Sequence, residues 1–209
     1  MIKPYLISIT GGSGSGKTTI IDKLRTSFDF EPSILSMDNY YLPKSHQKKD
    51  HNDIWNFDLP SAFDLEAFYR DILDLLNGEM VSRDEYIFEN FDQIPNSITT
   101  LPSPLLIIEG IFVLFEERIR ELVDFEIYIH VDQDKRLKRR LKRDSESRGL
   151  SLEMIQYQWD NHVCPAHDKW VEPHRSNADI ILNNTVDFGA DLARCVELIS
   201  EKLEDISQA

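Results

Sequence analysis

The chain has 209 residues, which suits one α/β domain with insertions or at most two small domains. Its formal net charge is −14, from 37 Asp and Glu against 23 Lys and Arg. That balance repels nucleic acid and anionic membrane surfaces.

Cys164 and Cys195 are the two cysteines, and they fit neither a disulfide framework nor a metal spacing. This reads as a reduced, cytoplasmic protein. Pro4, Ser8 and Thr10 interrupt the apolar core that a signal peptide needs. The longest apolar run, 105–115, is too short to span a bilayer and contains Glu109.

In chain order, Tyr5–Ile9 reads as a buried strand. A glycine-rich stretch, GGSGSGKTT, follows at 11–19. Ile20, Ile21, Leu24 and Phe28 then recur at helical spacing, which predicts a helix over 17–28. A second strand is expected at Ser33–Met37, with Asp38 directly after it. Residues 43–60 are polar and read as a long loop. A helix over 61–76 is expected to start at Ser61 and stop at Asn77-Gly78.

Residues 79–101 lack helical spacing and suggest a small β excursion, closed by Pro102 and Pro104. Leu105–Ile108 is an all-apolar strand ending in Glu109-Gly110, and Phe125–Val131 is another. A basic helix is expected over 133–143, a break over 145–149 and a further helix capped by Ser151. Ala178–Leu182 and 189–205 read as the last strand and helix. Continuous apolar strands between helices imply a parallel sheet covered on both faces.

The stretch at 11–19 meets G-x-x-x-x-G-K-[ST] through Gly11, Gly16, Lys17 and Thr18. The small residues Gly12, Ser13, Gly14 and Ser15 let successive backbone N–H groups ring a phosphate, and Thr19 closes the motif. Lys17 can reach β- and γ-phosphates, and the Thr18 hydroxyl can ligate Mg²⁺. A helix beginning near Lys17 points its positive end at the same anion.

Ligands of such sheets gather at the carboxyl ends of the strands, where Asp38 and Glu109 also fall. This is the equipment of phosphoryl transfer from ATP, which needs charge neutralisation and positioning more than covalent chemistry. Glu109 is a candidate metal carboxylate. Asp38 is a candidate base for an attacking hydroxyl, or a second metal carboxylate.

The segment 135–148 holds eight Lys and Arg against two acids. Arg139, Arg140, Arg143 and Arg148 are candidates for a mobile lid that closes over ATP and neutralises the moving phosphoryl group. Lys135, Arg136, Lys138 and Lys142 read as a solvated basic helix face. Met154, Trp159 and the cysteines read as packing residues. His162, His167 and His174 read as surface or structural groups, with no metal spacing.

With these residues in hand, the chain resembles the uridine kinase family, within the phosphoribulokinase/uridine kinase group of P-loop kinases. The resemblance rests on GGSGSGKTT, MDNYY, NFDLPSAFD, IIEGIFVL, RRLKRDSESRG and ADIIL, in that order, from about residue 5 to 183. It implies a single domain over 1–209. The fold would be a P-loop NTPase-type parallel sheet flanked by helices, with 79–101 as an acceptor-binding lobe and 140–150 as an Arg-rich lid.

It also implies ATP- and Mg²⁺-dependent phosphorylation of a nucleoside 5′-hydroxyl. Asp38 would be the catalytic aspartate, and Thr18 and Glu109 would lie on the magnesium side. Asp58 would bind the ribose hydroxyls, Tyr86 would line the nucleoside pocket, and Gln158 would lie near the sugar. Arg140, Arg143 and Arg148 would be the lid arginines. A homo-oligomer is suggested by the same resemblance.

Three positions depart from the family pattern. Leu59 replaces the His of F-D-H-P, Phe91 replaces the base-reading His, and Leu150 replaces the Arg after R-G. Apolar groups there discriminate bases weakly, so another ribose-containing acceptor, such as nicotinamide riboside or a sugar phosphate, is the alternative. From other classes, a catalytically silent nucleotide-binding protein stands beside these readings. A GTP-dependent switch is disfavoured by the absence of an N-K-x-D guanine reader.

Overall fold

Six consecutive buried residues, Tyr5–Thr10, form the central strand β1 of a computed structural model that describes residues 3–87 and 94–208. The glycine-rich loop leads into α1 (Lys17–Arg25), and β2 (Ser33–Ser36) follows. A short hairpin, β3 (Lys48–Lys49) and β4 (Trp55–Asn56), precedes α2 (Leu65–Leu76). Strands β5 (Val81–Asp84) and β6 (Ser97–Thr100) pair antiparallel, as expected of a β excursion. Next come β7 (Leu105–Glu109), a single-turn α3 (Glu117–Arg120) and β8 (Phe125–His130). Helices α4 (Gln133–Arg148), α5 (Leu152–Gln158) and α6 (Cys164–Trp170) precede β9 (Ile180–Asn183) and α7 (Gly189–Gln208).

The main sheet has the order β2-β7-β1-β8-β9 and is parallel throughout. Its strands carry the alternation of a sheet covered on both faces. Leu6, Leu106, Ile108 and Tyr128 pack into one core with Phe68, Ile72 and Leu75 of α2. Ile7, Ile9, Leu105, Ile107, Ile127 and Ile129 face the other way, against Ile20 and Leu24 of α1 and Cys195 and Ile199 of α7. Strand β1 lies between β7 and β8, so the crossover from β1 to β2 and the one from β7 to β8 run in opposite directions across the sheet. That arrangement opens a crevice at the carboxyl ends of β1, β2 and β7.

Several boundaries differ from the sequence expectation for identifiable reasons. The helix expected to start at Ser61 starts after Asp64, whose carboxylate accepts from the Ala67 N–H. Residues 60–62 instead form a 3₁₀ turn, and the Ala62 carbonyl accepts from the Leu42 N–H and the Gln47 side chain. The expected break at 145–149 is not a break. Helix α4 runs through to Arg148, and Gly149, at φ +62, ends it in the left-handed conformation. The 43–60 loop contains the β3–β4 hairpin, too short for any periodic signal.

Candidate functional site

The loop between β1 and α1 adopts its shape through backbone that side chains resist. Gly14 and Gly16 sit at φ +79 and +90. A Cβ on Gly14 would lie 2.5 Å from the Arg136 carbonyl oxygen, and one on Gly16 would lie 2.5 Å from Asn184 Nδ2. The loop is held from outside by α4 and the end of β9. Arg139 donates to the Gly14 and Asn184 carbonyls at 3.3 and 3.0 Å, and Asn184 Nδ2 donates to the Ser15 carbonyl at 2.8 Å. Lys17 bends back to donate to the Gly11 carbonyl at 3.1 Å.

A cavity of about 930 Å³ opens over this loop. It is lined by Ser13 to Thr19 of the loop, by Asp38, Asp58 and Glu109, and by Arg140, Arg143, Arg148 and Gln158. Gly11 and Gly12 are buried behind it. Tyr86 lines an adjoining cavity of about 450 Å³, with its ring 5.0 Å from that of Tyr41, which borders both. Phe91 lies outside the described residues.

Asp38 and Glu109 end up adjacent because β2 pairs with β7 with Ser36 opposite Glu109. Burial and the nearby Asp38 carboxylate push the Glu109 carboxyl up to about 7, although Lys17 and the Ser36 hydroxyl oppose the shift. Two carboxylates and the Thr18 hydroxyl form a set of hard oxygen donors. Crowded negative charge of this kind is relieved by a divalent cation, so the residues fit Mg²⁺.

The arginines are organised by a residue that sequence reading missed. Asp144 is fully buried, and the Nε atoms of Arg143, Arg140 and Arg148 approach its carboxylate at 2.7, 3.2 and 3.7 Å. Arg140 also donates to Ser13 Oγ at 3.0 Å and Gln158 Oε1 at 3.4 Å, which couples the basic helix to the loop and to α5.

One of the residues read as a solvated face is not solvated. Arg136 is 5% exposed and packs over the Trp159 ring, because the first turn of α4 lies against the glycine-rich loop. Lys135, Lys138 and Lys142 are exposed, as expected. Met154 lines the cavity instead of only packing, and so do Tyr41, Trp55, Phe57, Ile111 and Leu150. Tyr41 stands 4.0 Å from Phe63 and 6.2 Å from Phe57, ring to ring. The Tyr-Tyr pair of MDNYY was the available signal for this aromatic wall. Trp55 and Phe57 carried none, since nothing local distinguishes them from core residues.

The sequence profile described as "Phosphoribulokinase / Uridine kinase family" matches residues 6–188. The chain is 34% identical over 207 residues to a uridine kinase of Brevibacillus brevis, covering 99% of this chain and 95% of that one. It is 32% identical over 203 residues to uridine-cytidine kinase B of Dictyostelium discoideum, covering 97% of this chain and 84% of that one. Among solved structures, D-glycerate 3-kinase from Cryptococcus neoformans superposes with a TM-score of 0.61 at 15% identity, covering 90% of this chain and 89% of that one. At that identity the likeness is one of fold.

Proposed function

The chain belongs to the phosphoribulokinase/uridine kinase family, and from that premise we propose that it transfers the γ-phosphoryl group of ATP to the 5′-hydroxyl of uridine or cytidine. Over 1–209 it acts as a single kinase domain, serving pyrimidine salvage in the cytoplasm. The observation that carries this reading is convergence. The phosphate loop, the Asp38/Glu109 pair and the arginines gathered on Asp144 all border one cavity, together with Asp58 and Gln158.

In this reading the loop N–H groups and Lys17 hold the phosphates. Thr18 and Glu109, with Asp38 beside them, would hold Mg²⁺, which neutralises phosphate charge when bound. Asp38 orients the acceptor hydroxyl and takes its proton. Asp58 and Gln158 hold the ribose, and Tyr86 flanks the nucleoside. Arg140, Arg143 and Arg148 neutralise charge that spreads over the moving phosphoryl oxygens. The surrounding walls exclude water, which would otherwise compete as acceptor.

A second acceptor class is favoured by one observation. Leu150, Met154 and Ile54 all line the cavity, so apolar side chains make up part of its wall. Such a wall rejects related acceptors weakly. The test is ADP release with Mg·ATP over a panel of uridine, cytidine, nicotinamide riboside, a pentose phosphate and no acceptor. Turnover on uridine or cytidine supports the first reading. Turnover confined to another acceptor replaces it, and none above the blank defeats both.

A further inference from the structure

The β3–β4 hairpin and helix α5 both line the cavity. The hairpin presents Ile54 and Trp55 to it and continues into Phe57 and Asp58, while α5 presents Met154 and Gln158. Asp50 joins these two walls. Its Oδ1 accepts from the Asn52 and Ile54 N–H groups at 2.9 and 3.0 Å, closing the hairpin's own turn. Its Oδ2 accepts from the Tyr157 hydroxyl at 2.8 Å and pairs with His162 Nε2 at 2.7 Å, beyond the hairpin. The Asn52 side chain also donates to the Tyr157 hydroxyl.

The His162 imidazole is 2% exposed and the Asp50 side chain 11%, so water competes little for the bond between them. The accepted bonds hold the Asp50 carboxyl well below the usual carboxylate range.

Helix geometry shows that this junction is built. In a regular α-helix, residues five apart point about 140° away from each other. Tyr157 and His162 are five apart and nevertheless reach one oxygen. Residues 159–163 form a π turn, in which the Cys164 N–H bonds the Trp159 carbonyl. The i→i+5 spiral brings residues five apart onto one side. The two rings stand edge to face, 5.9 Å apart. A π turn gives up regular α-helical hydrogen bonding, and here it aims both donors at the hairpin.

We propose that Asp50, latched by Tyr157 and His162, is a positioning residue that fixes the hairpin wall against α5 and so sets the width of the acceptor site. The proposal rests on the reading that this cavity takes a nucleoside. Among the described residues, the hydrogen bonds of the Asp50 carboxylate run within the hairpin and to Tyr157 and His162, and none runs to the phosphate loop, so the latch is expected to govern the acceptor more than ATP.

The test compares wild type with Asp50→Asn, Tyr157→Phe and His162→Leu, measuring KM for uridine, KM for ATP, kcat and amide hydrogen exchange across 48–56. Tyr157→Phe removes one hydroxyl and leaves the hairpin's own turn bonds intact, so it reports on the latch even if His162→Leu fails to fold. The uridine KM is expected to rise about tenfold in the Asp50 and His162 variants, more than kcat falls, with ATP KM held. Tyr157→Phe should follow with a smaller rise, and exchange across 48–56 should quicken in all. Unchanged uridine KM, or uridine and ATP KM rising together, overturns the proposal. If wild type phosphorylates no nucleoside, the functional reading fails by itself. The exchange data then decide the latch: quickening supports it, and unchanged protection removes it.

Discussion

The Ser36 hydroxyl donates a hydrogen bond to Glu109 Oε1 and accepts one from the Asp38 N–H at 3.3 Å. Ser36 and Glu109 are also register partners across β2 and β7. The placement of Asp38 beside Glu109 therefore follows from strand pairing, which neighbouring loops cannot easily disturb. Asp38→Asn keeps the side-chain shape and removes the charge. The expected result is retained ATP binding with a transfer rate lowered by about 10²–10⁴-fold. Calorimetric ATP titration alongside turnover checks this, and near-normal turnover would show that Asp38 is not the base.

The same pair predicts a pH dependence of stability. Glu109 has a folded-state value of about 7, above its ordinary 4.5, because burial and the Asp38 charge disfavour ionisation. The folded protein thus holds this proton more tightly than the unfolded chain. The resulting stabilisation is complete below about 4.5 and is lost as pH rises through about 7. Glu109→Gln cannot ionise, so its stability relative to wild type should increase from pH 5 to 7.5 in metal-free buffer. Mg²⁺ should restore wild-type stability at the upper end and leave the variant little changed. Parallel melting curves for the two proteins across this range would contradict the shift.

Asp144 concentrates three guanidinium groups on one buried carboxylate. Removing a buried partner leaves charge uncompensated. Asp144→Ala is expected to lower unfolding free energy by about 3 kcal/mol in denaturant titration. Asp144→Asn, which keeps the shape, should fold more stably than Asp144→Ala yet show a reduced kcat, since the arginines lose their common anchor. Arg143→Ala with Arg148→Ala should reduce kcat without comparable loss of stability. Unchanged turnover in that double variant would end the lid reading.

What was legible in the sequence follows from the range of each interaction. The phosphate loop could be read because its glycines answer a local backbone requirement at fixed spacing. Asp38 and Glu109 could be read because apolar strands end just before them. Asp144 could not, since one acid among eight basic residues looks like surface charge until α4 packs. Nor could the hairpin at 48–56, which is fastened by Asp50 to residues more than a hundred positions away. The break expected at 145–149 failed because Ser and Glu are tolerated in a helix whose buried face is fixed by Arg140 and Asp144. Met154 looked like a core residue, because apolar cavity walls and apolar cores share one composition, whereas Leu150 was singled out by its departure from the family pattern.

Arg136 tests the largest of these misreadings. Its Nε and Nη1 atoms are buried without a hydrogen-bond partner, and burial lowers the guanidinium's affinity for its proton. Packing over Trp159 and the nearby Glu172 charge compensate in part. Were the side chain a solvated helix charge, replacing it would be nearly neutral, as expected for Lys135→Ala. As a poorly satisfied buried cation, it should be replaceable by an apolar group of similar length. Arg136→Met is therefore expected to lose no more than about 1 kcal/mol of unfolding free energy and can gain stability. Arg136→Ala, which opens a cavity against Trp159, should lose about 2 kcal/mol or more. Denaturant titrations of the three variants separate the cases. Equal effects of Arg136→Met and Arg136→Ala would show that the charge matters more than the packing.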